Sequence, residues 1–218
     1  PDKERSFLSN YGHITRLSAD DILTQLPTRA TPGDIVLLCG TFLCTALLPD
    51  YPRLLTTLRD RGFQVAVDTG WPPHSWDSAL REATHRWLGD CDWLLLNEVE
   101  TLGLADMDVL PAAARTLAAR LSGRGGCIVK CGVDGAWWWT ADQGHHAPAK
   151  PVEVIDTIGA GDSFNAGFLA GLLNGQSASQ ALRWGNAVAA YAIGSSPRRY
   201  PDWRTLQHHI EEVDYGQR

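Results

Sequence analysis

Four short, nearly continuous apolar runs constrain this chain more than any other feature: "DIVLLCG" (34–40), "FQVAVDTG" (63–70), "DWLLLNE" (92–98) and "GCIVKCG" (126–132). Runs this short and this rich in Val, Ile, Leu and Cys suit strands covered on both faces. Between them lie stretches with helical spacing, at 50–61, 77–88 and 108–122. Strands alternating with helices imply βαβ units, hence a mainly parallel sheet with helices on both sides. After Gly132 the pattern changes. "AWWWT" (136–140) and "VEVID" (152–156) read as an antiparallel excursion, joined by a polar loop that holds His145 and His146. Helical patterns at 162–174, 178–193 and 202–213 follow, with no repeat and no linker. The expectation is one three-layer α/β domain over residues 1–218.

Open α/β sheets bind ligands at the carboxyl ends of their strands. There the sequence places Asp68, then Asn97, Glu98 and Glu100, then Lys130 and Gly132. The stretch "DTIGAGDSFNAGF" (156–168) adds a side-chain-poor loop before a helix. Gly159 and Gly161 can take positive φ and let another group approach the backbone. The first turn of the helix behind them carries free N–H groups and the positive end of the macrodipole, a ready anion site. Phe164, Phe168, Leu169, Leu172 and Leu173 form the apolar stripe that anchors it. Read alone, Asp162 is equally a helix cap. The stretch is a poor dinucleotide fingerprint, because Phe164 stands where a third glycine belongs, and no GxxxxGK[ST] occurs in the chain.

The run D-T-x-G-A-G-D-x-F is far more specific than a bare glycine pattern, and it resembles the C-terminal signature of the ribokinase-like sugar kinases, the phosphofructokinase B type. Other parts fall in that family's order: N-x-x-E at Asn97 and Glu100, K-x-G-x-x-G at Lys130, Gly132 and Gly135, and Asn186 in the following helix. The resemblance implies a ribokinase-like fold and a transfer from ATP to a hydroxyl of a sugar or sugar acid. It makes Asp162 the general base and the backbone N–H groups of Gly159, Ala160, Gly161 and Asp162 the anion hole. Such a site suits phosphoryl transfer, which needs positioning and charge stabilisation more than covalent help. The resemblance further implies that Asn97 and Glu100 organise Mg²⁺ through its waters, as a hard cation with a retained hydration shell allows. A capping Asn followed by a solvated Glu is the plain alternative. Lys130, Gly132 and Gly135 would form the nucleotide-binding turn, otherwise a hairpin, and Asn186 would lie near the adenine, otherwise a structural amide. Asp156 and the Ile158 carbonyl match two positions where some members hold a monovalent cation such as K⁺; the pattern leaves open whether this one does.

Two departures from the family accompany this match. "DTGWPPHSW" (68–76) keeps Asp68 but has Gly70 and Trp71 where more polar residues are common, which puts a substrate or phosphate contact in doubt. The opening "PDKERSFLSNYGH" resembles the end of the lid sheet, so residues 1–15 read as a lid-strand remnant. The first strand, most of the lid and the glycine-rich sugar segment would then lie upstream. The expectation is a truncated chain with an open sheet edge, a surface that a partner or a second copy in a homodimer would close. Two other functions stay open beside the carbohydrate kinase: a homologue that binds nucleotide or a partner without turnover, and a nucleoside kinase.

Composition narrows the setting. The formal charge of −6 forces no basic face, which argues against nucleic acid as a partner. No apolar run approaches the roughly 18 residues of a membrane span. Five scattered cysteines form no disulfide framework and suggest the cytoplasm.

Overall fold

The computed structural model describes residue 12 and residues 14–215, with the side chains of 209 and 211–215 left aside; the expected lid-strand remnant at 1–15 lies almost wholly outside the described residues. In chain order the elements are α1 (Ala19–Gln25), β1 (Ile35–Cys39), α2 (Tyr51–Asp60), β2 (Gln64–Asp68), α3 (Ser78–Trp87), β3 (Trp93–Asn97), α4 (Glu98–Ala105), α5 (Leu110–Ala118), β4 (Gly126–Lys130), β5 (Ala136–Trp139), β6 (Gly144–Ala147), α6 (Ala160–Leu173), α7 (Ala178–Ile193) and α8 (Trp203–Tyr215).

The strands lie in sequence order in one sheet, β1 to β4 parallel and β5 and β6 antiparallel. Side-chain alternation divides the apolar residues between two layers. Val65 and Val67 of β2, Leu94 and Leu96 of β3, and Cys127 and Val129 of β4 pack with α1, α2 and the helices that follow them, up to α5. Ala66, Trp93, Leu95 and Ile128 face the other way, onto Phe164, Phe168 and Leu169 of α6 and Ala181 and Leu182 of α7. In β2 to β4 the continuous apolar runs therefore mean what they were read to mean, both faces covered, whereas the edge strand β1 is only half-buried. Phe168 is fully buried and meets the Trp93 ring edge-on, with centroids 5.4 Å apart. Truncating such a side chain costs about 3–5 kcal/mol.

The antiparallel excursion differs from expectation at its second strand. Residues 152–156 form no strand; β6 is Gly144–Ala147, so His145 and His146 are strand residues. Their rings stack on those of Trp138 and Trp137, at 5.2 and 4.7 Å, and Gly144 leaves room for the Trp139 ring. Cross-strand ring pairs and the ladder with β5 offset the poor strand propensity of this stretch. Helix α1 was not anticipated, α4 was expected only in the alternative reading of Asn97 as a cap, and the helix expected over 108–122 is the shorter α5.

Candidate functional site at the carboxyl edge of the sheet

Parallel register brings the chemistry to one edge. Cys39 pairs with Asp68, and Asn97 pairs with Lys130, each at the end of its strand. Lys130 Nζ donates to Asp68 Oδ2 at 2.8 Å and to Asn165 Oδ1 at 3.3 Å, and Asn165 Nδ2 donates to the same Asp68 oxygen at 2.6 Å. This network ties β2, β4 and α6 together, with Lys130 and Asp68 side chains each 13% exposed and Asn165 fully buried. Asn165 was not singled out from the sequence. The available signal was a polar residue one turn beyond Gly161, directly after Phe164 of the apolar stripe. Asp68 and Asp162, together with burial, push the thiol of exposed Cys39 up to about 11, with burial the largest cause.

Helix α6 starts on this edge without a side-chain cap. Its N-cap is Gly159, at φ 69°, a conformation that favours glycine. The Ala160 N–H donates back to the Thr157 carbonyl at 3.2 Å. Among the described residues the N–H groups of Gly159, Gly161 and Asp162 have no partner. Asp162 is therefore not the cap. It sits in the first turn, exposed, with an Oδ2 that faces Gly159, while Lys130 Nζ lies beside Gly161.

Next to this loop opens a cavity of about 450 Å³, lined by Lys130, Gly132, Gly135, Gly161, Phe164 and Asn186, among others. The fold thus brings the expected turn and helix residues around one space. Gly135, at φ 89°, closes the turn between β4 and β5, and a Cβ there would run into the Ala147 carbonyl. Asn186 lines the cavity, but its amide nitrogen is spent on the carbonyls of Ala147 and Pro148, at 2.8 and 3.2 Å, which locks α7 to β6.

Asn97 and Glu100 form a capping box at the start of α4. Asn97 Oδ1 accepts the Glu100 N–H and Glu100 Oε2 accepts the Asn97 N–H, both at 2.8 Å. Contrary to the solvated Glu of the plain alternative, Glu100 is buried, and burial raises its pKa, with Asp68 adding to the rise and the Asn97 N–H and Lys130 opposing it.

Asp156 is bonded within the chain. Its Oδ1 accepts the Ile158 N–H at 2.9 Å, and its Oδ2 accepts Arg198 Nη2 at 2.9 Å. Trp76, beyond the departure noted at Gly70 and Trp71, packs on Phe42 and against Gly103, whereas Trp71 remains exposed at the lip of the edge.

A six-stranded, mainly parallel sheet between helical layers, with an uncapped glycine helix start beside a cavity at its carboxyl edge, defines an open-sheet α/β protein. The profile of the pfkB family carbohydrate kinases matches residues 1–204, and the chain belongs to that family. It is 34% identical over 175 residues to the 2-dehydro-3-deoxygluconokinase of Haemophilus influenzae, covering 73% of this chain and 53% of that protein. The chain therefore spans about half the length of this relative. Among solved structures it superposes, with a TM-score of 0.69 and 25% identity, on a protein described as a ribokinase II from Escherichia coli in complex with ATP and Mg²⁺, covering 92% of this chain and 64% of that one. The fold is shared as well with the aminoimidazole riboside kinase of Salmonella enterica, at a TM-score of 0.69 and 23% identity over 89% of this chain and 66% of that one. These neighbours make the fold ribokinase-like. Among the described residues no helix is long and apolar enough to cross a membrane.

Proposed function

We propose that this chain carries the phosphoryl-transfer machinery of an ATP-dependent carbohydrate kinase acting on a hydroxyl of a sugar or sugar acid. The observation that carries the reading is that the partnerless amides at the start of α6 have the Asp162 carboxylate near Gly159 and the Lys130 ammonium near Gly161, next to the cavity that Lys130 and Gly161 line. In this reading the nucleotide lies in the cavity with its terminal phosphate toward the start of α6. Asp162 takes the proton of the acceptor hydroxyl as that oxygen bonds to the γ-phosphorus. The bond from the γ-phosphorus to the β–γ bridging oxygen breaks, and ADP leaves with that electron pair. The N–H groups of Gly159, Gly161 and Asp162 hold the charge that grows on the transferring group, with no reorganisation needed at that moment. Lys130 exchanges its Asp68 partner for a phosphate oxygen, a change between two charge-assisted bonds.

Mg²⁺, when bound, neutralises phosphate charge. The oxygen donors Asn97 and Glu100 fit its waters, since a buried carboxylate with a raised pKa gains from a cation nearby. The Haemophilus relative's name supports a sugar acid among the acceptors to be tried first. The test is ADP release by the purified chain with ATP, Mg²⁺ and a panel of sugars, sugar acids and nucleosides. Release that depends on a sugar or sugar acid supports the proposal. Release with nucleosides alone would make it a nucleoside kinase, and ATP binding without release would make it a nucleotide-binding protein.

A further inference from the structure

The loop that precedes α6 is held by a cation that belongs to the chain itself. Asp156 and Ile158 match positions where family relatives hold a monovalent cation, a site that would need free oxygens. Here those of the Asp156 side chain are taken. Both Asp156 carboxylate oxygens are engaged, Oδ1 by the Ile158 N–H at 2.9 Å and Oδ2 by Arg198 at 2.9 Å. The Asp156 carbonyl also accepts Arg198 Nη2, at 3.3 Å. The other end of the guanidinium, Nη1, lies over Gly159, where an added Cβ would meet it at 2.9 Å. One planar group thus spans from the acid that begins the loop to the residue that caps the helix, and its side chain is only 24% exposed.

The surroundings hold both ends of this contact in place. The N–H groups of Ile155 and Asp156 donate to the Ile193 carbonyl at the end of α7, at 2.9 and 3.2 Å. Ser195 Oγ donates to the Ala192 carbonyl at 3.3 Å and accepts the Arg199 N–H at 2.8 Å, which closes the turn that presents Arg198. An arginine stays charged at every working pH and offers donors in a rigid fork.

We infer that Arg198 is a positioning residue that takes the place of the monovalent cation: its tethered charge orders residues 156–159 and keeps the partnerless amides aimed at the phosphate site, so that the chain needs no potassium. The charge acts through the loop, not on the reacting atoms.

The test compares the purified wild-type chain, R198A and R198K in potassium chloride and in choline chloride of equal ionic strength. Melting midpoints are read first, then affinity for ATP with Mg²⁺ by calorimetry. The wild type is expected to show the same midpoint and affinity in both salts. R198A should melt lower in choline and recover part of the loss in potassium, with ATP affinity about tenfold weaker in choline, the loss of one charge-assisted bond. R198K keeps the charge and should stay indifferent to the salt. A wild-type midpoint or affinity that rises in potassium would overturn the inference, and so would R198A matching the wild type in both salts. The ATP readout rests on the proposed function, whereas the midpoints do not. If the wild type binds no ATP, the kinase reading fails while the midpoints still decide the role of Arg198, and the wild-type salt comparison holds even if R198A does not fold.

Discussion

Two helices begin at the same edge of the sheet, and they begin in opposite ways. At α4 the chain satisfies itself: Asn97 and Glu100 exchange hydrogen bonds with each other's backbone, and Thr101 Oγ1 donates to the Asn97 carbonyl at 2.7 Å. At α6 the N-cap is a glycine in the left-handed region with no side chain to close the first turn. A helix leaves up to four N–H groups without intrahelical partners at its start. The first helix spends side chains on them, and the second keeps them available. The comparison teaches that an open helix start is recognised by what its side chains decline to do, with the acid that looks like a cap, Asp162, set three residues past the cap in the first turn and turned toward Gly159.

The predictions attack that contrast. Removing the acid from the open end should have the largest effect. D162N is expected to lower kcat by about 10²–10⁴-fold while ATP affinity changes little, because general-base loss acts on the transition state; steady-state kinetics and calorimetry check both parts. Next is the network that frames the open end. D68A leaves Lys130 nearly buried without its carboxylate, with only the Asn165 amide oxygen at 3.3 Å, and breaking such a pair costs about 3–5 kcal/mol; denaturant unfolding should show that loss. A variant as stable as the wild type would mean that Lys130 is not held as described.

Opening the closed end should cost less. N97A removes the cap and is expected to lose about 1 kcal/mol in denaturant unfolding. The loss should be accompanied by a weaker response of activity to Mg²⁺. The smallest effect sharpens the comparison through pH. The Glu100 pKa is raised in the folded chain, chiefly by burial, above its ordinary 4.5. Stability tied to its protonated form is therefore complete below that value and is lost as pH rises through the folded one. E100Q keeps an acceptor for the Asn97 N–H and removes the charge. It should match the wild type below that window and melt slightly higher above it, in magnesium-free buffer.

Much of this architecture was legible in the chain, for a reason visible in particular residues. The runs that became β1 to β4 needed only to be apolar on both faces, and Val65 and Val67 against Ala66 show both faces in use. The strand β6 was not legible. Gly144, His145 and His146 carry no apolar signal, whereas Val152, Val154 and Ile155 do, yet the latter are 39%, 42% and 55% exposed. Ring stacking on Trp137 and Trp138 chose the less apolar stretch. The helix α4 was legible only in its cap, Asn97, since its start is written in a capping pair rather than in a long amphipathic repeat.

The site divides along the same line. The glycines, the acid and the apolar stripe of residues 159–173 are local: backbone freedom, N-terminal amides and helical spacing act over a few residues, so the amino-acid order alone determined them. Which charges meet was decided by the tertiary structure. Asn165 reaches Asp68 across 97 positions, Lys130 reaches it across 62, and Arg198 reaches Asp156 across 42. An ion pair depends on distance in space, and only the strand order and the packing of α6 and α7 set those distances.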